Sequence, residues 1–303
     1  MKFAVVILTY NSERRLPALF DGIAKQTRQP DEIIVMDSNS WDSSRQIAED
    51  QGARVYVHGS RKFNHGGTRR WASQETDADF LIYLTDDAVP ADPFSFANII
   101  DALDGEPDAG MAFGRQLPHP EAGALGRHHR LFNYPADSKV KRLVDAKTMG
   151  IKTCYASDSF SAYRRDRLIE VGGFPENLVS CEDVFVSARL LLSGYAVVYA
   201  GNARVFHSHD YTISDEFRRY FDLGAFFSMN PWVMQNFGGA SGEGVKFVRS
   251  QILFLLRSGK WHLLFKAVAA MFAKFIGFNV GLRQRHLPSS VKRKLGMYGA
   301  YWT

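Results

Sequence analysis

The feature that most constrains the fold is a repeated change of rhythm in the first 90 residues. "FAVVILTY", "DEIIVMDS", "ARVYVHG" and "FLIYLTDD" are short apolar runs with strand character. Between them, "SERRLPALFDGIAKQ", "SSRQIAEDQG" and "GTRRWASQETD" carry apolar residues at helical spacing. Strands separated by such helices join as parallel neighbours, so the expected class is α/β with a doubly wound, mostly parallel sheet. Ligands of such sheets bind beyond the carboxyl ends of the strands. Thr9, Asp37, Asp86 and Asp87 all fall there.

Charges are costly to bury, so the two carboxylates that close "FLIYLTDD" call for water, a counter-ion or a metal. Alone they fit a solvated strand end. Aligned with "TYN" and "DSNSWD" at neighbouring strand ends, they form a polar floor in an apolar sheet.

With 303 residues, 46% of them hydrophobic, the chain can hold one large domain with an appendage, or two small ones. Cys154 and Cys181 are too few for a disulfide framework or a zinc set and read as free thiols in a reducing compartment. "MKFAVVILTYNSERR" reads as a first strand rather than a signal peptide, and no run reaches about 18 uninterrupted apolar residues. A cytoplasmic location is expected.

The net charge of +5 hides an asymmetry. Residues 243–303 carry 11 Lys and Arg against one acidic residue, whereas residues 1–242 carry 26 against 31. In this tail Trp261, Leu264, Phe265, Val268, Met271, Phe272 and Phe275 fall at helical spacing among Lys260, Lys266 and Lys274. That pattern fits a helix lying in an anionic membrane interface, with Arg283, Arg285, Lys292, Arg293 and Lys294 adding attraction. It fits equally a helical hairpin packed on the main domain. No nucleic-acid motif accompanies the charge, so no nucleic-acid partner is expected. The expected division is a globular unit, 1–225, with halves 1–110 and 111–225, and a helical membrane-associating region, 226–303. "GMYGAYW" suits either a dimer contact, which leaves a homo-oligomer open, or a membrane anchor.

In the second half, Glu182 and Asp183 open an apolar-periodic helix ending near Gly194, and a strand then runs to His207 and His209. Acidic residues at a helix start are often only capping charges. From Gly114 to Gly150, prolines, histidines and basic residues break the rhythm, and the segment reads as a cleft wall with Arg115 and Gln116 nearest the site. His128, His129 and Arg130 suit either acceptor phosphate or a surface cluster.

"VVILTYNSERRLPALFDGIAKQTRQPDEIIVMDSNSWDSS", followed by the strand ending in "TDD", resembles the nucleotide-sugar-binding half of the family 2 inverting glycosyltransferases, which have the GT-A fold. The resemblance implies that Thr9, Tyr10 and Glu13 line the nucleotide pocket and that Asp37 accepts from N3 of uracil or thymine. It implies a divalent metal, Mg²⁺ or Mn²⁺, on Asp87, with His207 as a further ligand and His209 in reserve. Thr85 replaces the first Asp of the family's motif, and Asp86 would compensate through metal-bound water or the ribose. Asp183 would be the catalytic base and Glu182 would orient the base or the acceptor.

A narrower resemblance lies in "SRKFNHGGTRR" with "GRQLPHP", "FNYP" and "HSHDYT", a set similar to the bacterial rhamnosyltransferases. It implies a dTDP-L-rhamnose donor and a glycan acceptor on a polyprenyl diphosphate at the cytoplasmic face of the inner membrane. Inversion of a β-linked donor gives an α-linked product. In "FNHGGTRR", Gly66 and Gly67 permit close backbone approach, Arg69 would face diphosphate or sugar, and Asn64 and His65 would contact sugar. Two rivals stand beside this reading. A nucleotidyltransferase usually has a Gly-rich loop after the first strand, which "LTYNSERR" lacks, and a noncatalytic nucleotide-sugar-binding scaffold would not need Asp183.

Overall fold

The alternation becomes one twisted sheet. In a computed structural model, which describes residues 1–59, 64–239 and 242–302, the strands are β1 (Phe3–Thr9), β2 (Glu32–Asp37), β3 (Arg54–Val57), β4 (Phe80–Thr85), β5 (Val89–Pro90), β6 (Ala109–Leu117), β7 (Lys139–Lys141), β8 (Phe160–Arg164) and β9 (Ala196–Phe206). Their order is β3-β2-β1-β4-β8-β6-β9-β5, with β7 on β9. β1 to β4 pair in parallel, as do β6 and β9, while β8 runs antiparallel between β4 and β6. The chain turns left from β1 to β2 and β3, then right to β4, so the topological switch lies between β1 and β4.

The helices are α1 (Leu16–Ala24), α2 (Ser44–Asp50), α3 (His65–Gln74), α4 (Ser95–Asp104), α5 (Ala124–Asn133), α6 (Ala146–Met149), α7 (Arg165–Glu170), α8 (Glu182–Leu192), α9 (Ile213–Met229), α10 (Pro231–Phe237), α11 (Glu243–Arg257), α12 (Leu264–Leu282) and α13 (Ser289–Leu295). Both sheet faces are covered, which is why β1 and β4 are apolar at every position but the last. Val5, Ile7, Ile82 and Leu84 pack one way with α1 and α4; Val6, Leu81 and Tyr83 pack the other way with α8 and α9. Each such side chain removed from water is worth about 1.5–3 kcal/mol.

The segment from Gly114 to Gly150 is structured rather than irregular. It holds α5, β7 and α6, with Pro135 just past the end of α5. His128 is buried, 2.9 Å from Ser250 Oγ and against the Phe247 and Phe254 rings, so it is no surface cluster.

The division drawn at residue 225 runs through α9. α12 packs along α9 so closely that a Cβ on Gly281 would stand 2.1 Å from the Phe221 carbonyl, and one on Gly277 2.4 Å from that of Phe217. Lys274 faces inward to Glu216, 3.1 Å away. "GMYGAYW" folds back onto its own chain. Asp222 accepts the Met297 and Tyr298 amides at 2.8 and 3.0 Å, and Trp302 is buried against Phe221. The other face of α12 is apolar and open, with Phe265 85% and Phe272 62% exposed. Trp261–Leu282, with mean hydropathy 1.6, is long and apolar enough to cross a membrane, which a count of uninterrupted apolar residues misses because Lys266 and Lys274 interrupt it.

Candidate active site

Three strand ends meet at the switch. Asp37, at the end of β2, is fully buried; its Oδ1 accepts Arg45 Nε at 2.8 Å and the Ser40 amide at 2.9 Å, and Oδ2 faces Thr9 Oγ1 at 3.3 Å. Asn11 and Asn39 take positive φ there, 50° and 63°, a conformation that asparagine tolerates. Tyr10 is exposed beside them. Glu13 is committed elsewhere, accepting the Ser43 amide at 3.1 Å. Asp86 is likewise taken, by the Ser12 hydroxyl and by Arg15 at 3.0 Å, so it ties β4 to the loop after β1 and does not join Asp87.

Asp87 turns the other way. β9 ends at Phe206, whose pairing with Val89 sets the next residues beside the end of β4. His207 Nε2 is 3.4 Å from Asp87 Oδ1, His209 Nε2 is 3.5 Å from Oδ2, and the two ring nitrogens are 3.1 Å apart. Both histidines, not one, reach Asp87, because the chain leaves the strand before them. Burial holds His207 below its ordinary value despite the Asp87 charge, and burial with the neighbouring His207 lowers His209 to about 4.

Gln116 decides what this cluster can bind. Its Oε1 receives Arg130 Nη1 at 2.6 Å; because arginine only donates, that atom is the oxygen. His207 Nδ1, 2.9 Å from the same oxygen, must therefore carry its proton, and Nε2 of the neutral ring presents a lone pair to a carboxylate oxygen. A cation between them would satisfy both the lone pair and the carboxylate. The ligand atoms all lie within 4.8 Å of one another, as around a single ion, and carboxylate with imidazole is a donor set for a divalent metal. The residues fit the group. Gln116 thus orients a ligand rather than touching a donor, and Arg115 donates to the Tyr134 carbonyl at 3.1 Å instead of facing the site.

A second cluster surrounds the start of α8. Arg69 is buried with Glu182 at 2.6 Å and Asp158 at 3.3 Å. The position expected to face a phosphate is thus spent on two carboxylates, and Glu182 orients no acceptor, because its charge is consumed by Arg69. Burial opposes its ionisation, but Arg69 and His65 keep Glu182 below its ordinary value. Asp183 differs: burial and the charges of Glu182 and Asp158 raise it to about 8. Its oxygens accept the Val184 amide at 2.7 Å and the Asp158 amide at 3.3 Å. Two adjacent carboxylates are thus separated into an ion-pair member and a proton acceptor.

The "NHGG" stretch is built into this cluster. Ser60 to Phe63 lie outside the described residues. Asn64 caps α3 through Gly67 N and donates to the Leu178 carbonyl, both at 2.9 Å, so its side chain is spent. Gly66 is glycine because a Cβ would stand 2.0 Å from the Pro175 carbonyl. His65 packs edge-on against Tyr298, ring centroids 5.0 Å apart.

Sequence reasoning missed Asp158. Its signal was present in "ASDSFSAYRR", a carboxylate just before a strand, but only the antiparallel pairing of β8 with β4 brings a strand start beside strand ends. Residues 157 and 158 then bridge the clusters: Ser157 Oγ receives Gln116 Nε2 at 2.8 Å, and the Asp158 amide holds Asp183.

The family model for glycosyl transferase family 2 matches residues 4–172. The chain is a family 2 glycosyltransferase. This glycosyltransferase is 43% identical to O-antigen chain rhamnosyltransferase RfbN of Salmonella typhimurium, over all of this chain and 96% of that one. It is 41% identical to O-antigen chain rhamnosyltransferase WbaN of Salmonella anatum, over 99% and 95%. Two solved structures share its fold at low identity: TarS 1–349 of S. aureus, with TM-score 0.58, 17% identity and coverage of 99% and 88%, and mannosyltransferase PcManGT of Pyrobaculum calidifontis with GDP-Man and Mn²⁺, with TM-score 0.58, 15% identity and coverage of 99% and 84%. The glycosyltransferase thus has the GT-A fold.

Proposed function

We propose that the protein transfers L-rhamnose, with inversion, from dTDP-β-L-rhamnose to a lipid-linked saccharide during synthesis of an O-antigen-like glycan. One observation carries the donor: identity above 40% to two O-antigen chain rhamnosyltransferases along the whole chain. Asp37 and Thr9 would receive the base, with Tyr10 beside the nucleotide. Asp87, His207 and His209 would hold a divalent ion, and two imidazoles favour Mn²⁺ over Mg²⁺. When bound, that ion offsets charge on the diphosphate leaving group. Asp183 takes the proton from the acceptor hydroxyl as the hydroxyl attacks C1, and dTDP departs from the opposite face. Arg69 and Glu182 hold Asp183 in place without touching substrate.

The acceptor we infer is a saccharide on a polyprenyl diphosphate, reached from the membrane surface. The exposed apolar face of α12, flanked by Lys260, Lys266, Arg283 and Arg285, supports a peripheral seat at the cytoplasmic leaflet.

The test is release of nucleoside diphosphate from dTDP-, UDP- and GDP-sugars with Mn²⁺ and a lipid-linked acceptor. Turnover selective for dTDP-L-rhamnose, reduced roughly 10²–10⁴-fold in Asp183→Asn with dTDP affinity unchanged, is expected. Selectivity for another sugar removes the rhamnose assignment. Full activity in Asp183→Asn removes Asp183 as the base, whereas no turnover by wild type with any donor favours the scaffold.

A further inference from the structure

Arg219 stands on α9 beside the site, half-buried, with the Glu216 carboxylate near enough to favour its charge but, among the described residues, in no ion pair with it. Its guanidinium carbon lies 5.6 Å from the Tyr211 ring centroid and 6.0 Å from that of Tyr220. Tyr211 in turn lies against His209, with centroids 5.2 Å apart and planes 34° apart. Among the described residues no carboxylate comes within 4.0 Å of Arg219, and Glu216, three positions earlier, is occupied by Lys274 at 3.1 Å. His129, Tyr155 and Tyr298 also lie within reach of its charge, and none is an anion at neutral pH.

The imbalance extends around the metal-type cluster. Arg130 is buried, and among the described residues its guanidinium meets the neutral Gln116 and no carboxylate. Asp87 is the one acid of the cluster, and a divalent cation on it would add positive charge. A half-buried guanidinium beside further positive charge is favoured by a ligand that supplies anionic oxygens. The ligand that fits a planar fork of donors beside a cation is an oxyanion with several oxygens.

We propose that Arg219 is a phosphate-binding residue of the transferase site, taking oxygens of a diphosphate through its guanidinium. The inference rests on the transferase reading above. Two ligands carry that chemistry: the diphosphate of the nucleotide sugar and the diphosphate that links an acceptor to its lipid.

The experiment titrates wild type, Arg219→Ala and Arg219→Lys, with Mn²⁺ present. Thymidine diphosphate and thymidine are used first, then farnesyl diphosphate and farnesol at saturating thymidine diphosphate. A loss of roughly ten- to a hundredfold for a diphosphate, with its unphosphorylated counterpart unchanged, supports the proposal. The probe that loses affinity names the source. Lysine keeps the charge but not the fork, so it recovers part of the loss, and it carries the test if Arg219→Ala fails to fold. Affinities within about twofold of wild type for both diphosphates overturn the proposal and leave Arg219 a cation resting on an aromatic shelf. A folded wild type that binds neither diphosphate overturns the transferase reading itself, a different result from variants that match a binding wild type.

Discussion

Gln116 does at residue scale what its neighbours in sequence cannot: it fixes the His207 tautomer. Gln116→Leu keeps the volume and removes the acceptor, so Mn²⁺ affinity should fall about 10–100-fold by calorimetric titration, with excess Mn²⁺ restoring turnover. An unchanged affinity would take Gln116 out of the site. Asp183 yields a pH prediction of defined sign. As a base it works only when ionised, so kcat/KM should rise about tenfold per pH unit below roughly 8 and level off above. The same raised value means that the folded protein keeps a proton the unfolded chain has already lost. Stability should therefore decline as pH climbs from about 4 towards 8, and Asp183→Asn should flatten that decline in melting curves. A pH-independent kcat/KM from 6 to 9 would count against Asp183 as base.

At the scale of elements, the carboxyl-terminal helices are set by backbone contact more than by side chains. Gly224 approaches the Phe278 carbonyl of α12 as Gly281 approaches that of Phe221 on α9, so each helix supplies glycine where the other presents backbone. Gly281→Leu must separate the pair, an overpacking that costs about 1–3 kcal/mol or more. For a chain of this length that is a fall in Tm of roughly 2–5 °C by calorimetry. Phe272→Ser, on the open face of the same helix, should leave Tm nearly unchanged. Equal losses in both variants would mean that the open face is covered by something else. The strand and helix runs of the first 90 residues were readable in advance because each is a local pattern of burial. The α9–α12 contact was not, because Gly224 and Gly281, 57 positions apart, signal nothing until the helices cross.

At the scale of the whole molecule, charge and apolar surface are segregated. The body is acidic and the tail basic, and the exposed Trp261, Phe265, Phe272 and Phe275 share the tail with its cations. Binding to vesicles containing anionic lipid is expected, weakened by salt because the Debye length shortens to about 3 Å at 1 M. Replacing Phe265, Phe272 and Phe275 together by Ser should release the protein from vesicles in flotation at moderate salt, since each buried ring contributes about 1.5–3 kcal/mol. Binding that survives those changes would assign the face to another partner.

The order of strands and helices, the strand-end positions of Thr9, Asp37 and Asp87, and the carboxylate pair at the start of α8 could all be read from residues near one another, because burial periodicity and end-of-strand polarity are local. The roles within the site could not. Arg69 meets Glu182 across 113 positions, and His207 meets Gln116 across 91. Asp158 entered the site through the reversed direction of β8, and Asn64, Gly66 and Arg115 left it because backbone and loop contacts claimed them. A side chain's charge and hydrogen bonds depend on which distant groups the sheet order sets beside it, and the free energy of those pairings exists only once the chain has closed around them.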